Sequence, residues 1–328
     1  MIRTVRDHKI DTEFFPGWTR KSITFTIDDG NLVTDKKFLD IVKPRGIIGT
    51  FNLCMPKLDQ LSAEGYREFY RGYEIANHCQ NHPTASRPGF EYKFSDEPFN
   101  RETADPELVY RSEREGIYYV HLYLYNRRED YKTNPSGWHP MAFTEDFIRF
   151  ASTCHDALTS VFGEGSVRSF VWPHGKQYND DLIEYFRSIG YNSVRRSGDM
   201  RDKTGFDLPS DRFDWTYNAH NKTVLEVMKL YEEYPDDGKL KFFALGVHSH
   251  DFERTGNWED LVTFADLYGA RPETYYYATV SEIFDYEDAV SSVVITDESI
   301  ANPSEISLYL TVDGKRIVLR PHSEYQLT

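Results

Sequence analysis

The 328-residue chain is short of cysteine and of positive charge, and it has no long apolar run. Its three cysteines, Cys54, Cys79 and Cys154, include no CxxC pair and are too few and too scattered for a disulfide framework. They read as ordinary reduced thiols. Lys and Arg number 38 against 53 Asp and Glu, and the resulting formal net charge of −15 argues against nucleic acid or an anionic membrane as partner. No segment approaches the roughly 20 apolar residues needed to cross a bilayer. The first residues, Met1-Ile-Arg-Thr-Val-Arg-Asp-His8, contain no apolar stretch of the signal-sequence kind, so a cytoplasmic location is the expectation. Aromatic residues are plentiful at 15%, with 23 Tyr and 5 Trp. They suit a tyrosine-rich core and surface, or a cleft on which sugars stack.

A chain of this length can form one large α/β barrel or two ordinary domains. Apolar β-branched runs alternate with amphipathic stretches, the pattern of βα units around a parallel sheet. Strands are expected over 22–27, 47–53, 74–76, 169–172, 192–195, 242–247 and 274–277. Helices are expected over 35–42 with Thr34 as N-cap, 62–71, 144–162 with Thr144 as N-cap, 180–189, 222–233, 258–268 and 281–286. The rhythm breaks over about 84–141, which reads as an insertion with a hairpin or small sheet around Gly116–Tyr125. After Asp288 only short strands remain, over 291–295, 306–312 and 316–319, the last two joined by the turn signal Asp313-Gly314. The expected organisation is therefore a barrel over 1–288 and a small β appendage over 289–328.

The chemistry concentrates after the expected strands. Ser22–Ile27 ends in Asp28-Asp29-Gly30, and about fifty residues later comes His78-Cys-Gln-Asn-His82. Adjacent side chains on a strand point to opposite faces, so two aspartates can serve one site only where the strand ends and turns. Gly30 permits that turn. Two imidazoles four apart share a face if the segment is a helical turn. One carboxylate with two imidazoles leaves coordination positions for water and substrate, as catalytic metal sites do, and the second aspartate is then available as a base. Trp172-Pro173-His174-Gly175 follows another strand. Pro173 has no N–H, which makes the His174 amide a candidate oxyanion donor. His248 and His250 both stand where a general acid would be expected, and an extended chain would point both the same way.

These segments resemble the polysaccharide deacetylases of carbohydrate esterase family four, which share the nodulation-type chitooligosaccharide deacetylase domain. The resemblance covers roughly residues 20–288. Thr26-Ile-Asp28-Asp29-Gly30 is similar to the family's T-F-D-D-G motif, and Gly72–Pro83 to its G-x-E-[IV]-x-x-H-x-x-x-H-P motif. Phe170–Gly175 resembles its third motif and Val247-His248-Ser249 its last. Gly256–Glu259 and the stretch from Tyr276 to Tyr286 resemble a bacterial subgroup.

The resemblance implies an α/β fold, an incomplete (β/α)7 barrel. It implies Asp28 as base, His248 rather than His250 as acid, and one divalent ion on Asp29, His78 and His82. Zinc is first choice for that ion, and cobalt, nickel or iron also suit the ligands. Many members carry an arginine in the third motif that orients the base. Val171 stands in its place here, and Arg195 is the expected substitute, with Arg168 and Arg196 as alternatives. The fourth motif, Asp-x-x-Asp-Trp, corresponds only to the displaced Asp211-Arg-Phe-Asp214-Trp215. Trp172 and Trp215 are expected to contact substrate.

The implied activity is removal of acetyl groups from an N-acetylated or O-acetylated oligosaccharide or polysaccharide, a hydrolysis of non-peptide amide bonds. A deacylase for a small amide and a non-catalytic glycan-binding protein are the alternatives.

Overall fold

Six consecutive buried residues at positions 22–27 place the strand Lys21–Asp29 at the centre of a parallel sheet. The computed structural model describes residues 2–5, 7–55, 60–85, 109–111, 118–129, 133, 138–175, 179–198 and 205–327. They fall into two compact units. One is Met1–Asn52, Tyr70–Glu74 and Gly198–Thr328, and the other is Leu53–Phe69 and Ile75–Ser197.

In the first unit Lys21–Asp29 lies between Thr50–Leu53 and Lys241–His248. It pairs in parallel with Lys241–His248 from Lys21↔Lys241 to Asp28↔His248. Tyr275–Tyr277 pairs in parallel with its first three residues. Strands covered on both faces read as continuous apolar runs, which is why Phe242–Val247 shows no alternation. The helices Leu32–Val42, Val224–Glu233, Trp258–Tyr268 and Val280–Ser291 follow the expected order. Asn31, not Thr34, caps Leu32–Val42, its side chain accepting from the Thr34 amide.

The boundary expected at 288/289 falls inside the helix Val280–Ser291. The strands beyond it do not form a separate core. Leu308–Val312 pairs with Lys315–Leu319 across the Asp313-Gly314 turn, and on its other edge with His8–Phe14, a strand the sequence reading missed. Ile10, Phe15, Phe242, Phe284, Ile300, Leu308 and Leu310 are buried in one cluster. The β appendage thus includes the N-terminal strands Ile2–Val5 and His8–Phe14 and shares the core of the first unit.

In the second unit the strands run Ser193–Arg195, Val167–Val171, Glu74–Asn77, all parallel. Helix Thr144–Phe162 packs Phe147, Ala151, Cys154 and Leu158 inward at helical spacing. Helix Asp180–Ser188 is capped by Asn179. Of the insertion over 84–141, the described strands form a four-stranded sheet in the order Thr84–Ala85, Trp138–Ala142, Tyr118–His121, Val109–Arg111. Its antiparallel pair, Val109–Arg111 with Tyr118–His121, is in keeping with the expected small sheet. Leu122–Arg127 is a helix where strand had been expected. The rest of the insertion lies outside the described residues.

Candidate active site

The first unit carries Asp28, Asp29 and His248. Parallel pairing sets His248 opposite Asp28, and register partners on neighbouring strands lie about 4.8 Å apart with side chains on the same face. Just beyond, the backbone turns: Asp29 has φ 80° and Gly30 φ 68°. Aspartate tolerates this left-handed region better than most residues. The turn releases Asp29 from the strand's alternation, as the sequence reading required. Asn52, fully buried on the adjacent strand, was not anticipated. Its Nδ2 donates to Asp28 Oδ1 at 2.6 Å and to Thr26 Oγ1 at 2.8 Å. The only sequence signal was a polar residue inside the wholly buried strand Thr50–Leu53.

His248 ends its strand, and the chain passes directly into the helix Ser249–Thr255. The extended chain that would point both imidazoles the same way therefore ends at His248. His250 sits inside the helix with its ring 5.0 Å from that of His248. His248 Nδ1 donates to Asp251 Oδ2 at 3.1 Å, and Arg254 donates to the other oxygen at 2.7 Å.

The second unit carries His78, His82 and His174. His78 and His82 meet, although not on one face of a helix. The segment after the strand Glu74–Asn77 is a turn in which Cys79, Asn81 and His82 have φ of 67°, 62° and 47°. It brings the two Nε2 atoms to 3.1 Å. His78 is almost fully buried, and its Nδ1 donates to the Val171 carbonyl at 2.8 Å, leaving Nε2 as the ligating nitrogen. Cys54 Sγ donates to the His78 carbonyl at 3.3 Å and so helps hold the turn. Cys79, between the ligand candidates, is fully buried, and burial pushes its thiol far above the usual range, so it stays protonated. Burial likewise pushes Cys154 up to about 12.

His174 stands in a tight turn with φ 58°, followed by Gly175 with φ 63°. Its ring packs edge-on against His82 at 4.5 Å and against His139 at 5.3 Å. Of these rings, that of His139 was not singled out from sequence.

Three expectations land in the interior. Trp172 is 2% exposed and packed by Phe147, Phe170 and Phe186. Trp215 is 3% exposed and packs on Phe242 and Phe284. Both are core residues rather than a sugar-stacking surface. Arg195 is buried at the end of Ser193–Arg195, where its carbonyl accepts from the Trp172 amide at 3.0 Å.

The donor set suits a divalent ion. Imidazole nitrogens bind zinc at about 2.0–2.1 Å, which in tetrahedral geometry separates two of them by roughly 3.3 Å. The Nε2 pair at 3.1 Å matches this, with His78 already held in the required tautomer.

The family model for polysaccharide deacetylase matches residues 17–194, more than half of the chain and including Asp28, Asp29, His78, His82 and His174. No curated protein matches. Among solved structures, a putative polysaccharide deacetylase from Mycobacterium smegmatis is 14% identical, with TM-score 0.51, covering 86% of this chain and 94% of its own. The chitin deacetylase of the fungus Colletotrichum lindemuthianum is 13% identical over 83% of this chain and 89% of its own, with TM-score 0.43. A family 4 carbohydrate esterase from Bacillus anthracis is 14% identical over 82% and 84%, with TM-score 0.41. We rest the fold on the first, which bears out the expected class, the incomplete (β/α)7 barrel. The chain belongs to the polysaccharide deacetylase family.

Proposed function

We propose that this protein is a metal-dependent hydrolase that removes acetyl groups from an N-acetylated or O-acetylated glycan. The observation that supports it most is the pairing of Asp28 with His248, a carboxylate and an imidazole set side by side at the ends of two parallel strands. Binding a glycan needs neither group. Hydrolysing an amide needs both, one to take a proton from water and one to give a proton to nitrogen.

By their match to the family motifs, Asp29, His78 and His82 would hold one divalent ion, zinc first, which would polarise the acyl oxygen and acidify water. Asp28 takes the proton of the attacking water as the new C–O bond forms. Asn52 holds one oxygen of that carboxylate, so Asp28 enters the reaction already oriented.

The Trp172 amide is engaged by Arg195 and Pro173 has none, so His174 offers the next N–H to the developing oxyanion. Loss of such a donor costs about 3 kcal/mol. His248 then protonates the leaving nitrogen or oxygen as its bond to the acyl carbon breaks.

Acetate release from a panel of acetylated oligosaccharides and small amides, with and without chelator, tests the reading. Release from glycans that stops with chelator is the expected result. Release only from small amides, or tight glycan binding without acetate, overturns it.

A further inference from the structure

We infer that Asp251 is the positioning residue of the acid His248, the carboxylate that fixes its tautomer and orientation. The inference rests on the deacetylase reading for its meaning and on local geometry for its content.

In the segment with the fourth-motif pattern, Asp211–Trp215, three residues serve the fold. Asp211 Oδ1 accepts from the Phe213 amide at 2.8 Å, and Arg212 donates to Glu287 and Asp288 at 2.7 Å each. Trp215 lies in the core. The carboxylate that meets His248 stands three residues after it instead. Asp251 Oδ2 accepts from the ring Nδ1 at 3.1 Å and from the His248 backbone N–H at 3.4 Å. Ring and backbone of one residue are thus held by one oxygen, at the start of the helix Ser249–Thr255. The Asp251 side chain is 14% exposed and is itself held by Arg254 at 2.7 Å.

The chemistry follows from the donors. A carboxylate only accepts, so Nδ1 of His248 must carry a proton. The proton that moves is then the one on Nε2. An imidazole free to choose its tautomer would spend part of its time with the wrong nitrogen protonated. Several charged groups surround this pair. Asp28 faces His248 from the neighbouring strand, and His250 lies beside it. Helix Leu32–Val42 contributes Asp35, which accepts from Ser249, and Lys37, which donates to Glu253. Among these described groups, Asp251 is the one bonded to the ring's Nδ1.

Asp251→Asn in the full chain is the test, because the amide keeps an acceptor for the helix cap and removes the charge. Loss of positioning should lower kcat on an N-acetyl oligosaccharide about 10- to 100-fold with KM within about twofold. Hydrolysis of an aryl acetate, whose phenolate leaves without protonation, should fall by less than about threefold. Long-range 1H–15N spectra should show the neutral His248 ring moving from Nδ1–H toward a mixture of tautomers. Equal losses on both substrates, no loss on either, or an unchanged tautomer would overturn the inference. If the wild-type chain releases no acetate from any substrate, the deacetylase reading fails, and the tautomer result alone decides whether Asp251 fixes His248.

Discussion

Replacing Asn52 by leucine should separate stability from turnover. Asn52 is fully buried and gives both its described hydrogen bonds from Nδ2, while its own Oδ1 has no partner among the described residues. An unsatisfied buried acceptor costs about 1–3 kcal/mol, so stability alone does not favour this amide. Leucine has the same branched outline with bulkier methyl groups, and it removes that cost. It also removes a neutral bond to Thr26, worth about 0.5–1.5 kcal/mol, and a charge-assisted one to Asp28, worth about 1.5–3 kcal/mol. These terms oppose, and the unfolding free energy should change by less than about 2 kcal/mol. Turnover has no such compensation. Loss of the bond that orients the base should lower kcat by about 10- to 150-fold, at roughly 1.4 kcal/mol per tenfold, with KM little changed. Urea unfolding and steady-state acetate release on the same preparation make the comparison. A folded variant with wild-type kcat would refute the role given to Asn52, and a variant that unfolds would refute the stability arithmetic.

Gly175→Ala should damage the His174 turn. Its φ is +63°, and an added Cβ would clash with Ser197 Cβ, so a loss of at least about 1–3 kcal/mol in denaturant unfolding is expected, together with lower kcat. His121 is buried and its pKa is lowered, chiefly by burial and against the pull of Asp146. The unfolded chain therefore binds the proton more readily. Stability should fall as pH drops through about 6.5, and His121→Gln should flatten that slope in urea midpoints measured against pH. Cys79 and Cys154, buried with raised thiol pKa values, should resist a thiol reagent at pH 8 until the protein is denatured.

The βα order was readable because buried parallel strands and amphipathic helices leave different periods in the sequence. Trp258–Tyr268 begins and ends where its pattern does, while Thr144–Phe162 starts one residue earlier than expected, with Phe143 rather than Thr144 at the N-cap position. The N-terminal strands escaped notice because Ile2–Val5 is mostly exposed and the partner of His8–Phe14 lies some 300 residues away. Leu122–Arg127 has strand-like residues, and its tertiary setting makes it helix.

In the site, the motifs located Asp28, His78 and His248, but not how the segments bend. The spacing of His78 and His82 suggested a helical turn, whereas three left-handed non-glycine residues bring them together, a geometry that spacing does not encode. Asn52 and Asp251 act through contacts whose partners are set by strand register and helix capping. Trp172 and Trp215 show the converse, since an aromatic side chain suited to stacking on sugar is equally suited to a core.

The central claim is that Asp28 is the base and that the metal ligands are other residues. Metal content and acetate release, measured together on wild type and Asp28→Asn, test it most directly. One divalent ion per chain is expected in both proteins, with turnover reduced at least about 100-fold in the variant. Loss of the ion from Asp28→Asn, or turnover close to wild type, would contradict it.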